Sequence, residues 1–297
     1  MKKVPGTFRS AKHALARAAA PLMRQALRED RAGADITSAA VLPVGARVRA
    51  DLVARAVGVV AGVEAAGWVF TVADRRLRYR RRVRDGAAVR PGQVIATVAG
   101  LARSMFAAER TALNLLGHLS GIATLTRTLV WRVQGTGAII LDTRKTLPGL
   151  RALQKYAVRA GGGHSHRGSL AEAVLIKTNH IRTLQRAGLS RPAAIREAIH
   201  RARAHAPRRW VEVEAATLAD VRNALAARPD AILLDNMPVR AVRAAVRLKG
   251  RARVALEASG GITPANARAY ARAGVDRISV GRLTHSAPAL NVALEVR

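Results

Sequence analysis

Two adjacent cations follow a short apolar run near the middle of the chain. Residues 138–141 read AIIL, and Asp142, Thr143, Arg144 and Lys145 come directly after them. Arginine can hold a carboxylate through two parallel hydrogen bonds, whereas lysine offers a point charge that suits phosphate. The pattern favours an anion site at the end of a strand. The alternative is a solvated loop in a very basic protein.

Five further apolar runs in the second half of the chain also end in polar residues. They read AVLIKT, WVEVEA, AILLDN, VALEASGG and RISVGR. The polar residues at these ends are Lys177, Asn179, His180, Glu212, Glu214, Asp235, Asn236, Glu257, Ser259, Gly260, Gly261, Gly281 and His285. The last four runs end near residues 214, 235, 257 and 281, and these intervals fit one strand plus one helix. The spacing predicts a parallel sheet closing toward a β/α barrel. A doubly wound open sheet is the alternative, although no GxGxxG motif follows any run.

The loops after the strands of a β/α barrel face one mouth, so these polar residues are expected to form a single site. Its cationic members are Arg144, Lys145, His166, Arg167 and Lys177. Such a set suits ligands with several negative charges, such as carboxylates and phosphates. The sequence therefore predicts a binding site for anions.

Acidic residues stand among these cations. Glu214 and Asp235 could hold Mg²⁺ directly or through water, bind sugar hydroxyls, or stabilise positive charge in a transition state. The alternative is that they only neutralise the lysines. The alternation along the strands leaves open whether Glu212 and Glu257 face the same site.

A glycine pair follows the run ALEAS. Gly260 and Gly261 allow backbone N–H groups to approach a phosphate closely, and Thr263 followed by Pro264 predicts the start of a helix. Gly281 ends the next run, so two consecutive loops could share the phosphate. The alternative is a tight turn without a ligand.

Two histidines lie in the glycine-rich segment GGGHSHR at residues 161–167. His164 and His166 could bind a metal, but the sequence offers no evident third ligand nearby. We favour His166 and Arg167 as part of an anion clamp.

Composition limits the classes of function. Of 297 residues, 51 are Lys or Arg and 19 are Asp or Glu, which gives a formal net charge of +32. This charge attracts nucleic acids without specificity, but the arginines are spread along the chain and aromatic residues make up only 3%. The absence of Cys excludes disulfides and thiolate chemistry. We expect a soluble cytoplasmic protein whose basic, acid-free beginning forms an amphipathic helix rather than a transit peptide.

The front half has a different pattern. Residues 46–99 read as short strands separated by turn signals, and residues 104–133 have helical spacing interrupted at Gly117 and Gly121. This predicts an α+β domain followed by linking helices.

Long motifs in this order closely resemble the quinolinate phosphoribosyltransferase family. They are REDRAGADITS, AERTALNLLGHLSGIATLT, LDTRKTLPG, GGGHSHR, AVLIKTNH, VEVEA, ILLDNM, EASGGIT and VGRLTHSAPAL, within residues 20–296. The resemblance implies an α/β fold: an N-terminal α/β sandwich (residues 1–120), an open α/β barrel of type II phosphoribosyltransferases (121–284), and a C-terminal segment (285–297) returning to the first domain. It implies that quinolinate and phosphoribosyl pyrophosphate give nicotinate mononucleotide, pyrophosphate and CO₂, with Mg²⁺.

The resemblance also implies roles for single residues and an assembly. The quinolinate carboxylates would be held by Arg110, Arg144, His166, Arg167 and Lys177. The phosphoribosyl donor would be held by Lys145, Glu214, Asp235, Ser259, Gly260 and Gly281, with Lys145, Glu214 and Asp235 catalytic and the two acids near the metal. Arg110 would come from the neighbouring subunit of a homodimer, with a hexamer as the alternative assembly. Neither a membrane nor a specific nucleic acid is expected as a partner.

Some residues depart from the family pattern. Thr178 replaces the usual Asp, Ser165 replaces Asn, Gly168-Ser169 occupies the place of a bulky residue and Gly, and Ala160 replaces Cys. None of these is an expected ligand. Two alternatives remain open at this point: a sister enzyme for another acidic heterocycle, and a basic nucleic-acid-binding protein on the same scaffold.

Overall fold

The computed structural model describes residues 8–297, with side chains described for Leu15 and from Ala19 onward. The helices are α1 (Phe8–Glu29), α2 (Ile36–Val41), α3 (Val63–Ala73), α4 (Ala102–Val133), α5 (Arg151–Ala160), α6 (Thr178–Arg186), α7 (Arg191–His205), α8 (Leu218–Ala227), α9 (Val239–Lys249), α10 (Ala267–Arg272) and α11 (Arg282–His285). The strands are β1 (Arg47–Ala54), β2 (Gly58–Val59), β3 (Arg78–Arg81), β4 (Ala88–Val89), β5 (Val94–Leu101), β6 (Ile139–Leu141), β7 (Val174–Ile176), β8 (Val211–Ala215), β9 (Ala231–Asp235), β10 (Ala255–Ser259), β11 (Arg277–Ser279) and β12 (Val292–Val296).

The chain forms two compact units. The first contains the residues up to Arg127 together with Thr146–Gly162 and Thr284–Arg297, and the second contains Thr128–Lys145 and Gly163–Leu283. The domain boundaries expected at residues 120 and 284 stay predictions. No helix in the described part of the chain is both long enough and apolar enough to cross a membrane.

The first unit is built on an antiparallel sheet with the order β12-β1-β5-β3. The last strand of the chain pairs with the first, with Ala50 opposite Val296 and Ala54 opposite Val292. Residues 50–54 of β1 and 95–98 of β5 are all buried, so both faces of the sheet are covered there, because side chains along a strand point to opposite faces.

Helix α3 lies between the strands expected in residues 46–99, at a place where the sequence had not predicted a helix. Its buried residues include Val63, Ala66 and Phe70, which repeat at helical spacing. Gly67 lies under the ring of Tyr79, where an added Cβ would approach Cδ1 at 2.6 Å. This close packing places β3 against the helix.

Helix α4 corrects the interruption expected at Gly117 and Gly121, since it runs without a break over 32 residues. A Cβ at Gly121 would lie 2.0 Å from the carbonyl oxygen of Pro288, and one at Gly117 would lie 2.8 Å from that of Leu290. The two glycines therefore let the C-terminal segment cross the helix closely and do not break it.

The second unit contains a six-stranded parallel sheet with the order β6-β11-β10-β9-β8-β7. From β7 to β11 each strand lies beside the next along the chain, which confirms the barrel-like winding and excludes the doubly wound alternative. Strands β6 and β7 form the two edges, so the barrel is open among the described residues.

Side-chain caps fix several helix starts in the second unit. Ser190 accepts a hydrogen bond from the N–H of Ala193 at the start of α7, where Pro192 occupies the first turn. Thr217 and Asp220 form a reciprocal capping box at the start of α8. These caps define where the α6–α7 connection and the loop after β8 end.

Candidate active site

The strand register of the second unit shows which acidic residues share a face of the sheet. The acids in question are Glu212, Glu214, Asp235 and Glu257. Glu214 and Glu257 both lie opposite Leu233, and Asp235 lies opposite Ser259. Paired residues point to the same side of a sheet, and so do residues two apart on one strand. Glu212, Glu214, Asp235, Glu257 and Ser259 therefore share one face.

Lys177 and Glu214 meet at the carboxyl end of this face. The Nζ of Lys177 lies 3.5 Å from Oε1 of Glu214, and the backbone N–H of Thr178 donates to Oε2 at 2.8 Å. The lysine side chain is about half exposed whereas the glutamate is mostly buried. This arrangement holds the Glu214 carboxylate in place and leaves its cationic partner open to a ligand.

Asp142 connects the loop after β6 to the glycine-rich segment. It is fully buried, and its Oδ1 accepts the backbone N–H of His166 at 2.9 Å. Its own N–H donates to the carbonyl of His164 at 3.1 Å. The Asp142 carboxylate thus acts as a structural clamp that holds the glycine-rich segment against the loop after β6. The sequence had indicated no such role for it.

Two guanidinium groups lie near each other beside this clamp. Burial, together with the charge of Arg144, lowers the pKa of Arg167. The buried Nε of Arg144 has no hydrogen-bond partner among the described residues, whereas Arg167 donates from Nη1 to the carbonyl of Ala173 at 2.9 Å. Lys145, the next residue after Arg144, is exposed. The geometry thus places two neighbouring guanidinium groups, with the buried Nε of Arg144 unpartnered among the described residues, where an anion was predicted.

His166 precedes Arg167, and its side chain is only 13% exposed. Its Nδ1 accepts the backbone N–H of Arg167 at 2.7 Å, and its Nε2 lies 2.9 Å from Oε2 of Glu212. Both ring nitrogens are therefore engaged by the protein, and the role of His166 in holding quinolinate stays a prediction.

The glycine loop after β10 is built around Asn236. Gly260 has φ +90° and Asn236 has φ +53°, and a Cβ at Gly260 would lie 2.1 Å from Oδ1 of Asn236. Glycine is therefore required here for space as well as for backbone conformation. The helix start expected at Thr263 and Pro264 is wrong, because Asn266 accepts the N–H of Thr263 in a turn and α10 begins only at Ala267.

Arg110 lies in the first unit, unlike the other predicted site residues. It is exposed on α4 and lines a cavity of about 430 Å³, together with Asn114 and His118 on the same helix. His118 bonds Gln154 at 2.8 Å, and burial lowers its pKa. The role of Arg110 in a neighbouring subunit stays a prediction.

Arg277 was missed by the sequence reading. It lies opposite Glu257 on β11, and its guanidinium carbon lies 4.4 Å from the ring centre of Trp210. The signal was present, since Arg277 and Ser279 are two apart and must share a face. Arg277 was not distinguished from the many other arginines of this basic chain, although it stands within an apolar run.

The donor set at the strand ends fits Mg²⁺. Glu214 and Asp235 supply carboxylate oxygens on neighbouring strands and on one face, which is the ligand type that Mg²⁺ prefers. Oδ1 of Asp235 accepts only the neutral side-chain amide of Asn236, at 3.1 Å, among its described contacts. Both acids thus keep oxygens available to a hard cation.

Comparisons with known proteins agree with this architecture. Residues 35–120 match the model of the quinolinate phosphoribosyl transferase N-terminal domain, and residues 122–295 match that of the C-terminal domain. The chain is 46% identical over 286 residues to a nicotinate-nucleotide pyrophosphorylase [carboxylating] of Mycobacterium leprae, covering 94% of this chain and 97% of that protein. A probable enzyme of the same name from Bacillus subtilis is 38% identical, with 93% and 92% covered.

Solved structures give the same result. The nicotinate-nucleotide pyrophosphorylase from Francisella tularensis superposes with a TM-score of 0.86 at 36% identity, over 99% of this chain and 98% of that one. NadC from Streptococcus pyogenes superposes with a TM-score of 0.85 at 34% identity, over 94% and 97%. The strand winding, the shared polar face and these matches lead to one conclusion: the chain belongs to the quinolinate phosphoribosyltransferase family.

Proposed function

We propose that this chain transfers the phosphoribosyl group of phosphoribosyl pyrophosphate to quinolinate, releasing pyrophosphate and CO₂ and giving nicotinate mononucleotide. The observation that carries the proposal is the pair Arg144 and Arg167. The buried Nε of Arg144 has no hydrogen-bond partner among the described residues, and burial together with the charge of Arg144 lowers the pKa of Arg167. A ligand with two carboxylates removes this repulsion, and quinolinate has two adjacent carboxylates.

Lys177 completes the cationic side of the quinolinate site. It is exposed at the end of β7, with only one described acidic partner, Glu214 at 3.5 Å. A carboxylate of the substrate could bind its ammonium while Glu214 remains held by the N–H of Thr178. Arg144, Arg167 and Lys177 thus approach the acid from three separate segments.

The donor would occupy the neighbouring strand ends. Lys145 suits the pyrophosphate as an exposed point charge, and Ser259, Gly260 and Gly281 suit the 5-phosphate. Gly260 supports this role because no side chain fits against Asn236, so its backbone can approach an anion closely. Glu214 and Asp235 share a face of the sheet with Ser259 and would bind ribose hydroxyls.

The chemistry requires positioning more than a nucleophile. The pyridine nitrogen forms a bond to C1 of the ribose while the bond from C1 to pyrophosphate breaks, and positive charge develops on the sugar. Glu214 and Asp235 stabilise that charge, and Lys145 stabilises the departing pyrophosphate. The ring nitrogen is then positive and stabilises the electron pair that stays on C2 when its carboxylate departs as CO₂, and a proton from solvent then adds to C2.

Mg²⁺ is part of this proposal. Glu214 and Asp235 would hold it directly or through water, and when bound it neutralises charge on the pyrophosphate. Removal of divalent cations with a chelator should abolish turnover, and added Mg²⁺ should restore it. Turnover that persists in excess chelator would remove the metal from the proposal.

The decisive test of the function is direct. The purified chain is incubated with quinolinate, phosphoribosyl pyrophosphate and Mg²⁺, and nicotinate mononucleotide and CO₂ are measured. Formation of both in equal amounts supports the proposal. No product, with another acidic heterocycle consumed instead, would assign the chain to a different reaction on the same fold.

We also propose a homodimer in which Arg110 enters the neighbour's site. Its exposure on α4 and its place outside the second unit support this arrangement. R110A and R144A should each be nearly inactive alone. After subunit exchange, random mixing should restore about a quarter of the wild-type activity, because half of the sites in each mixed dimer are intact. No recovery after demonstrated exchange would rule out sharing. Assembly into hexamers stays an alternative that mass measurement in solution decides.

The proposed location is the cytoplasm. The chain has no Cys, so its fold does not depend on an oxidising compartment. Cell fractionation followed by immunoblotting tests this proposal. Recovery of the chain in a membrane or organelle fraction would contradict it.

A further inference from the structure

Beneath the proposed quinolinate site, His166 meets two buried glutamates. Glu212 and Glu257 are both 0% exposed, and Nε2 of His166 lies 2.9 Å from Oε2 of Glu212 and 3.6 Å from Oε1 of Glu257. The ligand-type atoms of these three residues all lie within 4.8 Å of one another. Residues that are distant in sequence thus converge on one point inside the second unit.

The hydrogen bonds define the state of the imidazole ring. The backbone N–H of Arg167 donates to Nδ1, so this nitrogen carries a lone pair and no proton. The proton of the ring must then be on Nε2, which donates to Glu212. An imidazolium would set an Nδ1–H against the N–H of Arg167 at 2.7 Å and is incompatible with this geometry.

The same geometry argues against a metal between these residues, although one His and two carboxylates are a plausible ligand set. A histidine that gives Nε2 to a metal donates its other ring N–H to an acceptor. Here the group facing Nδ1 is itself a donor. A metal at Nε2 would therefore leave two N–H groups in opposition.

Two buried carboxylates cannot both be charged without a large cost. Burial first, and then the charge of Glu212, raise the pKa of Glu257 to about 7. Neither oxygen of Glu257 has a hydrogen-bond partner within the described chain, and the same holds for Oγ of Ser279. The charged groups around the cluster are Asp142, Arg144, Arg167 and Arg277. Glu257 therefore keeps its proton to a higher pH than an exposed glutamate, and Glu212 faces Nε2 of His166 as the hydrogen-bond acceptor.

We propose that His166 is a positioning residue for Arg167, with its ring locked as the Nε2–H tautomer by Glu212 and its Nδ1 holding the backbone N–H of Arg167. The ring then fixes where the Arg167 guanidinium meets a quinolinate carboxylate and gives the substrate no hydrogen bond itself. The inference rests on the proposed function only in naming that carboxylate. The tautomer and its role in the Arg167 backbone are independent of it.

The tautomer can be measured without any turnover. The full-length wild-type chain is labelled with ¹⁵N-histidine, and long-range ¹H–¹⁵N correlations are assigned to His166 by their loss in H166N. We expect a protonated, pyrrole-type Nε2 and an unprotonated Nδ1 between pH 6 and 8, in the presence and in the absence of quinolinate. A protonated Nδ1, or an imidazolium in the quinolinate complex, would overturn the inference even if the enzyme is fully active.

Two amide variants separate positioning from direct contact. Asn at position 166 can place its Oδ1 near the position of Nδ1, whereas Gln reaches instead toward Glu212. We expect the quinolinate KM of H166Q to exceed that of H166N by about tenfold, the effect of leaving one buried N–H unpaired. The donor KM should move much less. Equal losses in both variants would favour a direct charge contact.

The pH profile gives a third readout. If a protonated ring bound the substrate, the quinolinate KM of the wild type would rise with pH across the histidine range while that of H166N would not. We expect profiles of the same shape. H200N serves as the matched control, since His200 is exposed on α7, and it should retain the wild-type constants. Failure of the wild type to form nicotinate mononucleotide would remove the proposed function but would leave the NMR result to decide the tautomer.

Discussion

The hydroxyls along α4 in the first unit and the buried acid Glu257 in the second unit differ in their hydrogen bonding. In the first unit, the hydroxyls along α4 are satisfied: Ser120 accepts the N–H of Ala61 at 3.0 Å, Thr124 accepts that of Val59 at 2.9 Å, and Thr126 donates to the carbonyl of Ile122. In the second unit, Glu257 is buried with both oxygens unpartnered among the described residues. The first set stabilises the fold, whereas the second costs stability and lies directly beneath the site.

The largest expected effect is on activity in the second unit. R144A and K177A should each lower kcat/KM for quinolinate by about 100-fold, since each removes a charged hydrogen bond to the acid. The donor KM should change by much less. Steady-state kinetics with each substrate varied give both numbers.

The matched control is R251A, because Arg251 is an exposed cation of the same unit. It should keep the wild-type constants. An unchanged kcat/KM for quinolinate in both R144A and K177A would show that the polar face is not the quinolinate site.

The next effect is on the stability of the first unit. G121A should lower the free energy of unfolding by about 3 kcal/mol, since the new methyl group would lie 2.0 Å from the carbonyl oxygen of Pro288 and the segment must move. Denaturant unfolding measures the change. G33A is the control, because nothing lies within 4 Å of a Cβ there, and equal effects of the two would refute the close crossing.

A smaller effect is expected for S120A. The variant leaves the buried N–H of Ala61 without its acceptor, which should cost about 1–2 kcal/mol. T183A removes a hydroxyl that bonds within an exposed helix turn and should be nearly neutral. A loss in S120A no larger than in T183A would contradict the idea that the buried hydroxyls stabilise the first unit.

The smallest expected effect is on how the free energy of unfolding varies with pH. The pKa of Glu257 is raised to about 7 in the folded state, so the folded protein binds this proton more tightly than the unfolded chain. Its contribution to stability is present at low pH and is lost as pH rises through about 4.5 to 7. E257Q cannot titrate and should show a shallower fall in the free energy of unfolding.

The comparison for this prediction is E29Q, since Glu29 is exposed at the end of α1. The free energy of unfolding of E29Q should vary with pH as that of the wild type does. If E257Q and the wild type lose stability in parallel from about pH 5 to 8, the buried acid does not titrate in this window.

Much of the fold was predictable because it depends on local patterns. The runs ending near residues 214, 235 and 257 are β-branched and evenly spaced, and they are strands β8, β9 and β10 of one parallel sheet. The errors arose where distant segments decide the structure. Gly117 and Gly121 looked like helix interruptions because the crossing of Pro288–Leu290 cannot be read from residues near them.

The candidate site was predictable only in part for the same reason. Residue types at the strand ends indicated an anion site and identified Arg144, Arg167 and Lys177. Nothing local showed that Glu212 would accept a hydrogen bond from His166, 46 residues earlier in the chain. The sequence likewise offered no third ligand beside His164 and His166, whereas the fold brings two carboxylates to His166.

The sequence by itself determined the order of the elements, the chemistry available at the strand ends and the family, since these depend on periodicity and on residue type. The tertiary structure alone decided which acids share a face, which are buried, and which ring nitrogen of His166 meets a donor. Those properties depend on register and burial between segments far apart in the chain, where the interior weakens solvation and each hydrogen bond selects a protonation state.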